Sequence, residues 1–281
     1  MKRFLKQMVG FTLFCILCAS GYFAVNLYVW DEKDLIGSET YISIKKAKDA
    51  PAHVRNLIMG GSTGNQLFPN TLFNGLTYSL CCNQATSLAG QYILLHEFLF
   101  NHTDPSKLQV FLLLRPSSLR NDLDQRFVYN YFIKPFDHPE YQSHLSPYAQ
   151  AQLKKVPLRR LVQIPFIRRS HWSPNLQHQH QPHKFRISNL SAEYLRKIHS
   201  LCKLNNVRSF KVRATYLSSD FGEEDLKSFR KDIVDQGLQG EMRGYFSTLA
   251  TYPAELFMED KVHLLNTNSA RTDFMSKLRL N

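Results

Sequence analysis

The sequence predicts an α/β fold, a three-layer domain with a mainly parallel sheet, preceded by one N-terminal apolar segment. Three observations lead there. Residues 54–59 (VRNLIM) read as a short buried strand that runs straight into glycines. Residues 108–114 (LQVFLLL) are apolar almost without break, the pattern of a central parallel strand covered on both faces. Helical and strand patterns then alternate to the C-terminus, as in a sheet with crossover helices. With 281 residues and 43% hydrophobic content, the chain can bury one sizeable core, or a core and an insertion.

The elements follow in order. Residues 7–30 (QMVGFTLFCILCASGYFAVNLYVW) carry no charge and suffice to cross a bilayer as a helix. Lys2, Arg3 and Lys6 precede them and Asp31, Glu32 and Asp34 follow, so the positive-inside bias predicts a cytoplasmic N-terminus with the remainder outside. A cleaved signal peptide with a small-residue site near 19–21 is the alternative, but the apolar run continues past that site. Leu17 before Cys18 argues against a lipoprotein cleavage site. Residues 31–52 read as a polar spacer. Residues 54–59 and 78–82 are strands, and Thr86 or Ser87 can cap a helix with Leu88, Tyr92, Leu95 and Leu99 on one face.

Between about 120 and 186 the periodicity breaks down into Pro, Tyr, His and Arg, an insertion of short elements. Regular alternation resumes with a helix at 191–205, a strand at 208–217 and a helix at 223–236. A short strand or turn at 255–258 and a closing helix at 269–278 complete the chain. The predicted organisation is therefore a cytoplasmic tip and anchor (1–30), a spacer (31–52) and one domain (53–281).

The net charge of +12 implies an anionic partner, such as a phospholipid surface or an acidic polymer. An exported, anchored domain argues against nucleic acid. Cys15 and Cys18 lie in the apolar segment, leaving Cys81, Cys82 and Cys202, an odd and sparse set that does not read as a disulfide framework. Buried thiols are the simpler account, with a bond from Cys202 to one of the adjacent pair left open. Asn101 and Asn189 begin glycosylation sequons that matter only in a eukaryotic secretory pathway.

The chemistry centres on IMGGSTGNQ, residues 58–66. Gly60, Ser62 and Gly64 fit the G-x-S-x-G nucleophile elbow, and a serine directly after the first strand stands beyond the carboxyl end of a parallel sheet, where such sheets place their sites. Near the other end stands Asp260-Lys-Val-His263. That spacing lets the carboxylate take a proton bond from one ring nitrogen while the other faces a serine. An α/β-hydrolase elbow normally follows several strands, and its acid and histidine come from separate loops. Here only about twenty residues separate the apolar segment from the serine's strand, and the acid and histidine share one turn.

This Gly-x-Ser turn after the first strand, with D-x-x-H-L before the last helix, resembles the SGNH (GDSL-like) hydrolase superfamily over residues 54–278, the insertion excepted. It looks most like the membrane-anchored branch associated with O-acylation of cell-surface polymers. The resemblance implies a five-stranded, flavodoxin-like sheet. It also implies Ser62 as nucleophile, His263 as general base and then acid, and Asp260 as the orienting acid. Gly61 stands where many members carry Asp. Asn83-Gln-Ala85 matches the N-x-G motif with Ala85 in place of the glycine whose N–H joins the oxyanion hole; Ser62 supplies a further N–H. The third motif contributes an asparagine side chain, for which Asn121 is the nearest match, with Ser117 or Arg115 as other occupants of that space.

The implied activity is that of an extracytoplasmic serine esterase or O-acyltransferase acting on acyl, chiefly acetyl, esters of a cell-surface glycan, with a membrane-embedded acyltransferase as a possible partner. The alternative is a non-catalytic subunit of the same fold that binds polymer or such an acyltransferase. No cofactor and no metal are called for. His171, His178, His180 and His183 cluster in sequence, but no carboxylate or cysteine joins them, and a polar loop is the default. Thr63 and Asn65 are read as caps of the following helix, with substrate binding as the alternative. Residues 156–169 (VPLRRLVQIPFIRR) interleave apolar residues with four arginines. They suit an anionic membrane surface, a membrane-embedded partner or an ordinary basic rim.

Overall fold

The computed structural model describes residues 2–28, 35–69, 73–174 and 185–278. An apolar helix, α1 (Lys2–Tyr28), opens the chain. Its apolar stretch Lys2–Tyr22 is long enough to cross a membrane, and none of it is buried against the protein. Trp30, at the end of the span read from sequence, lies outside the described residues.

The domain is α/β, built on four parallel strands. β1 (Asn56–Gly60) runs parallel to β3 (Thr77–Ser79) on one side and to β4 (Gln109–Leu114) on the other, and β4 pairs with β5 (Ser209–Ala214). A two-residue strand, β2 (Phe73–Asn74), adds an antiparallel edge beside β3, so the sheet order is β2-β3-β1-β4-β5. The strand expected at 208–217 breaks at Thr215. Its far half, β6 (Tyr216–Ser218), pairs in parallel with β7 (Ala250–Tyr252) as a separate small sheet. Sequence reading missed β7. At 255–258, expected as a short strand or turn, the chain forms a short 3₁₀ turn followed by one bridge, Phe257 to Leu264.

Every residue of β1 and β4 is buried, as in strands covered on both faces. Side-chain alternation divides them between two cores. Leu57, Met59, Val110, Leu112 and Leu114 join α4 (Ser87–Asn101) and α9 (Asn189–Leu204) in one cluster. Ile58, Phe111 and Leu113 face α11 (Asn268–Leu278) and Leu67 of α3 (Ser62–Leu67) in the other. Gly60 ends β1 because nothing larger fits: a Cβ there would stand 2.2 Å from the Leu113 carbonyl oxygen.

Residues 38–48, expected within a spacer, form a helix instead, α2 (Ser38–Lys48), packed on α4. Its buried face is Thr40, Ser43 and Ala47, small or polar residues that give no hydrophobic signal in sequence. The insertion between 120 and 186 is a chain of short helices: a π-turn at Tyr129–Ile133 running into α5 (Lys134–Phe136), then α6 (Pro147–Lys155), α7 (Arg159–Val162) and α8 (Pro165–Arg168). Its Tyr129, Phe132, Phe136 and Leu153 belong to the α4–α9 cluster, so it is not a free lobe. Helix α10 (Glu223–Asp235) covers the same core through Phe229.

The cysteines are all free. Cys81, Cys82 and Cys202 are buried, and burial pushes the Cys82 and Cys202 thiols up to about 12, so they are inert apolar groups at neutral pH.

Candidate functional site

Ser62 is the first residue of α3, directly after β1 and its glycines, and is partly exposed. Gly61 precedes it with an extended backbone, and a Cβ on Gly61 would lie 3.2 Å from the Gln84 Cβ. A side chain there would need the Gln84 turn to give by a few tenths of an ångström. Thr63 does not cap the helix. It is buried, and its hydroxyl meets that of Thr215 at 3.1 Å, tying α3 to the break between β5 and β6. Asn65 sits inside α3, where its N–H closes the first turn onto the Gly61 carbonyl.

The acid and histidine are built into one locked turn. His263 Nδ1 lies 2.6 Å from Asp260 Oδ2, while Asp260 Oδ1 accepts the backbone N–H groups of Val262 (2.9 Å) and His263 (3.0 Å). An ionised carboxylate only accepts, so Nδ1 carries the proton and Nε2 is left as the basic nitrogen. Burial opposes ionisation of Asp260, but the bonds from the His263 ring and from the two backbone N–H groups outweigh it and hold the carboxyl below its usual range. The turn closes through the Met258 N–H to the His263 carbonyl (2.7 Å) and the Lys261 N–H to the Met258 carbonyl (2.9 Å). Lys261 takes a left-handed φ of 51°.

Gln66 ties this turn to the serine's helix. Its Nε2 donates to the Leu264 carbonyl (3.2 Å), and its Oε1 accepts the Leu264 N–H (3.1 Å) and the Tyr216 hydroxyl. Arg271 of α11 adds a bond to the Gln66 carbonyl (3.0 Å). Gln66 stands four residues after Ser62, hence on the same face of α3. The residue following His263 is thus clamped one turn below Ser62. No hydrogen bond joins Ser62 to His263 among the described residues; such contacts are often long before substrate binds.

The oxyanion side differs from expectation. The Ala85 N–H donates to Asn83 Oδ1 at 2.9 Å, an Asx turn closed on itself. Asn121 is buried, its Nδ2 donating to the Gln84 carbonyl (2.8 Å) and its Oδ1 accepting the Leu123 N–H (2.9 Å). The structure therefore gathers the two motifs around Gln84, beside a small cleft that also touches Gly61, Ser87, Leu114 and Ser118. Both donors are engaged within the protein. The Ser62 N–H, first in α3, has no intrahelical acceptor. Ser117 is partly exposed on the 3₁₀ turn after β4.

Two residues acquire a place that sequence reading did not give them. Arg115, at the end of β4, is 1% exposed and reaches the other way from the oxyanion motifs. Its Nη2 donates to the Lys261 carbonyl (3.1 Å), its guanidinium stacks on Phe221 at 4.9 Å, and its Nε and Nη1 have no partner among the described residues. Burial pulls it down to about 10, so it remains charged at neutral pH beside Asp260. Glu39, in the first turn of α2, lies within electrostatic reach of His263. Burial pushes its carboxyl up, and the His263 charge only partly offsets that. Glu39 also raises Tyr131, which burial foremost brings to about 12 and which is hydrogen-bonded to Asn83. An acid in the first turn of a helix is an ordinary feature in sequence, so nothing marked Glu39 as functional.

Of the histidine-rich stretch, His178, His180 and His183 lie outside the described residues, and His171 is exposed. His96, Glu97 and His144 do bring ligand atoms within 4.8 Å of one another. Lys197, bonded to the His144 carbonyl at 3.4 Å and lying over Tyr92, already places a cation there.

Comparisons with protein families, with curated proteins and with solved structures find no match for this chain.

Proposed function

We propose that this chain is a membrane-anchored serine esterase or O-acyltransferase of the SGNH type, with its domain outside the cytoplasmic membrane. The proposed substrates are acyl esters of a cell-surface glycan, acetyl being the simplest. The observation that carries the reading is the Asp260–His263 pair, clamped through Gln66 to the helix face that begins with Ser62. On this reading β7 stands for the fifth strand of a three-layer, flavodoxin-like sandwich, displaced onto the bent end of β5.

The Ser62 Oγ would attack the acyl carbonyl carbon while His263 Nε2 takes its proton and Asp260 steadies the imidazolium. The ester C–O bond breaks, the leaving alcohol takes the proton from His263, and the acyl group stays on Ser62. Water or a sugar hydroxyl then attacks the acyl carbon, loses its proton to His263, and Ser62 leaves with that proton restored. The Ser62 N–H serves the oxyanion in both steps.

The test is labelling of the full chain with a fluorophosphonate probe. The expected result is an adduct on the wild type and none on Ser62→Ala; a wild type that never labels would overturn the enzymatic reading. A second reading has its own support, because the Ala85 N–H and Asn121 Nδ2 are already spent. Losing one oxyanion donor typically costs about 10²- to 10³-fold in rate. A non-catalytic subunit that binds polymer or a membrane acyltransferase predicts no labelling and an unchanged cellular role for Ser62→Ala.

A further inference from the structure

The chain's positive charge is not spread evenly. From Tyr141 to Ala192 there is no Asp or Glu, while Lys154, Lys155, Arg159, Arg160, Arg168, Arg169, Lys184 and Arg186 all fall within that stretch. Most of the net +12 therefore arises in the insertion. The structure gives part of this stretch a defined shape. Leu158, Leu161, Ile164 and Trp172 are all exposed, at 55%, 36%, 36% and 46%, beside the exposed Arg160 and Arg169. Four large apolar side chains turned outward among cations are costly in water and are not what a solvated basic rim presents.

This surface is held from behind. Tyr129 donates to the Pro157 carbonyl (2.7 Å), and Gln163 Nε2 to the Ile133 carbonyl (2.7 Å). The Arg168 Nε bonds the Lys134 carbonyl (2.8 Å), while the buried Lys134 ammonium bonds the carbonyls of Ser170 and Trp172, both at 2.7 Å. Arg159 is taken up by Asp137, with Nη2 to Oδ1 at 2.6 Å. The buried π-turn and α5 thus fix α7, α8 and the Trp172 segment on one support, with the apolar and cationic side chains left outside.

The position of this surface identifies its occupant. α8 touches α1, the helix long and apolar enough to span a bilayer. Residues 29–34 are all that separates α1 from Leu35, so the chain can carry the domain no farther than roughly 25 Å from the end of that helix. Large apolar side chains interleaved with arginine are what an interfacial segment offers to acyl chains and anionic headgroups together. We propose that the face made by α7, α8 and the Trp172 segment lies on an anionic lipid surface, in the leaflet where α1 emerges. This proposal stands independently of the esterase reading.

The chain has two tryptophans, Trp30 and Trp172, so Trp30→Phe leaves Trp172 as the sole reporter. The full-length variant is reconstituted into vesicles of phosphatidylcholine alone, or of phosphatidylcholine with phosphatidylglycerol, each with and without acyl-brominated lipid. The expected result is quenching of Trp172 by brominated lipid and shielding from aqueous acrylamide, both stronger with phosphatidylglycerol and weakened by salt. Arg160→Gln weakens the contact by roughly fivefold in the anionic vesicles, the order of effect of one cation at such a surface. Leu161→Asp with Ile164→Asp removes it while the melting temperature holds, since both side chains are exposed.

Equal acrylamide access in detergent and in both vesicles, without quenching by brominated lipid, overturns the proposal. Quenching that ignores phosphatidylglycerol overturns its anionic part and leaves the anchor alone as the cause. Shielding that appears only in native membranes and is lost on reconstitution assigns the face to a membrane protein instead.

Discussion

The two sides of the candidate site use their hydrogen bonds in opposite ways. On the histidine side, Asp260 spends one oxygen on the backbone of its own turn and the other on the His263 ring, leaving Nε2 without a hydrogen bond among the described residues. On the Asn83–Asn121 side every expected donor is consumed internally: Ala85 closes an Asx turn and Asn121 ties Gln84 to Leu123. A motif can therefore survive in two forms. It can present a reactive atom, or it can keep the fold of the turn after the donor has been turned to structural use. Residue identity does not separate these cases; the partner of each N–H does.

The largest expected effect breaks the histidine side while leaving its turn intact. Asp260→Asn keeps an oxygen for the Val262 and His263 N–H groups, but its amide nitrogen cannot accept from Nδ1–H. The ring should adopt the other tautomer, and the rate of fluorophosphonate labelling should fall by about 10³- to 10⁴-fold. The melting temperature should change little, because the pair is partly exposed. An unchanged labelling rate would mean that the pair is a structural clip and that the two sides of the site do not differ in function.

Arg115 tests how that side is supported. Its one bond to Lys261 and its place beside Asp260 are set against a buried charge with two unpaired nitrogens. A buried guanidinium lacking partners costs stability, so Arg115→Met should leave the melting temperature level or higher. The labelling rate should still drop roughly tenfold, because the 258–263 turn loses its tether and Asp260 its neighbouring cation. A variant that melts lower and labels normally would make Arg115 a plain core residue. That result would remove one of the features that distinguish the histidine side.

The parts of the molecule that were legible in sequence are those where one physical requirement dominates. β1 and β4 were readable because strands buried on both faces must be apolar throughout, and α4, α9 and α11 because their faces repeat at the helical period. The Asp260–His263 bond was readable because a spacing of three puts the two side chains on one turn, whereas Ser62 is tied to that turn only through Gln66, which no spacing in the sequence announces. β7 was missed because three half-exposed residues carry no pattern. α2 was missed because it buries Thr, Ser and Ala. The roles of Gln66, Arg115 and Glu39 could not be read at all, since they depend on contacts with residues far away in the chain: Leu264, Lys261 and His263.

Glu39 carries the smallest and most discriminating prediction, because it reaches both sides, His263 on one and the Tyr131–Asn83 pair on the other. Its folded pKa is raised by burial above the usual 4.5. A carboxyl raised in this way favours folding below its unfolded pKa, and that contribution is lost as the pH climbs through the folded value. At pH 7 the wild type therefore carries the cost of a half-buried charge, whereas near pH 4 it does not. Glu39→Gln should accordingly melt higher than the wild type at pH 7 and equally at pH 4, measured by thermal unfolding across that range. If Glu39 serves His263, the same variant should also shift the labelling rate at pH 7. A stability gain without that shift would leave Glu39 tied to the Tyr131 side alone. Equal destabilisation at both pH values would show instead that the carboxyl is retained for a hydrogen bond that the amide cannot replace.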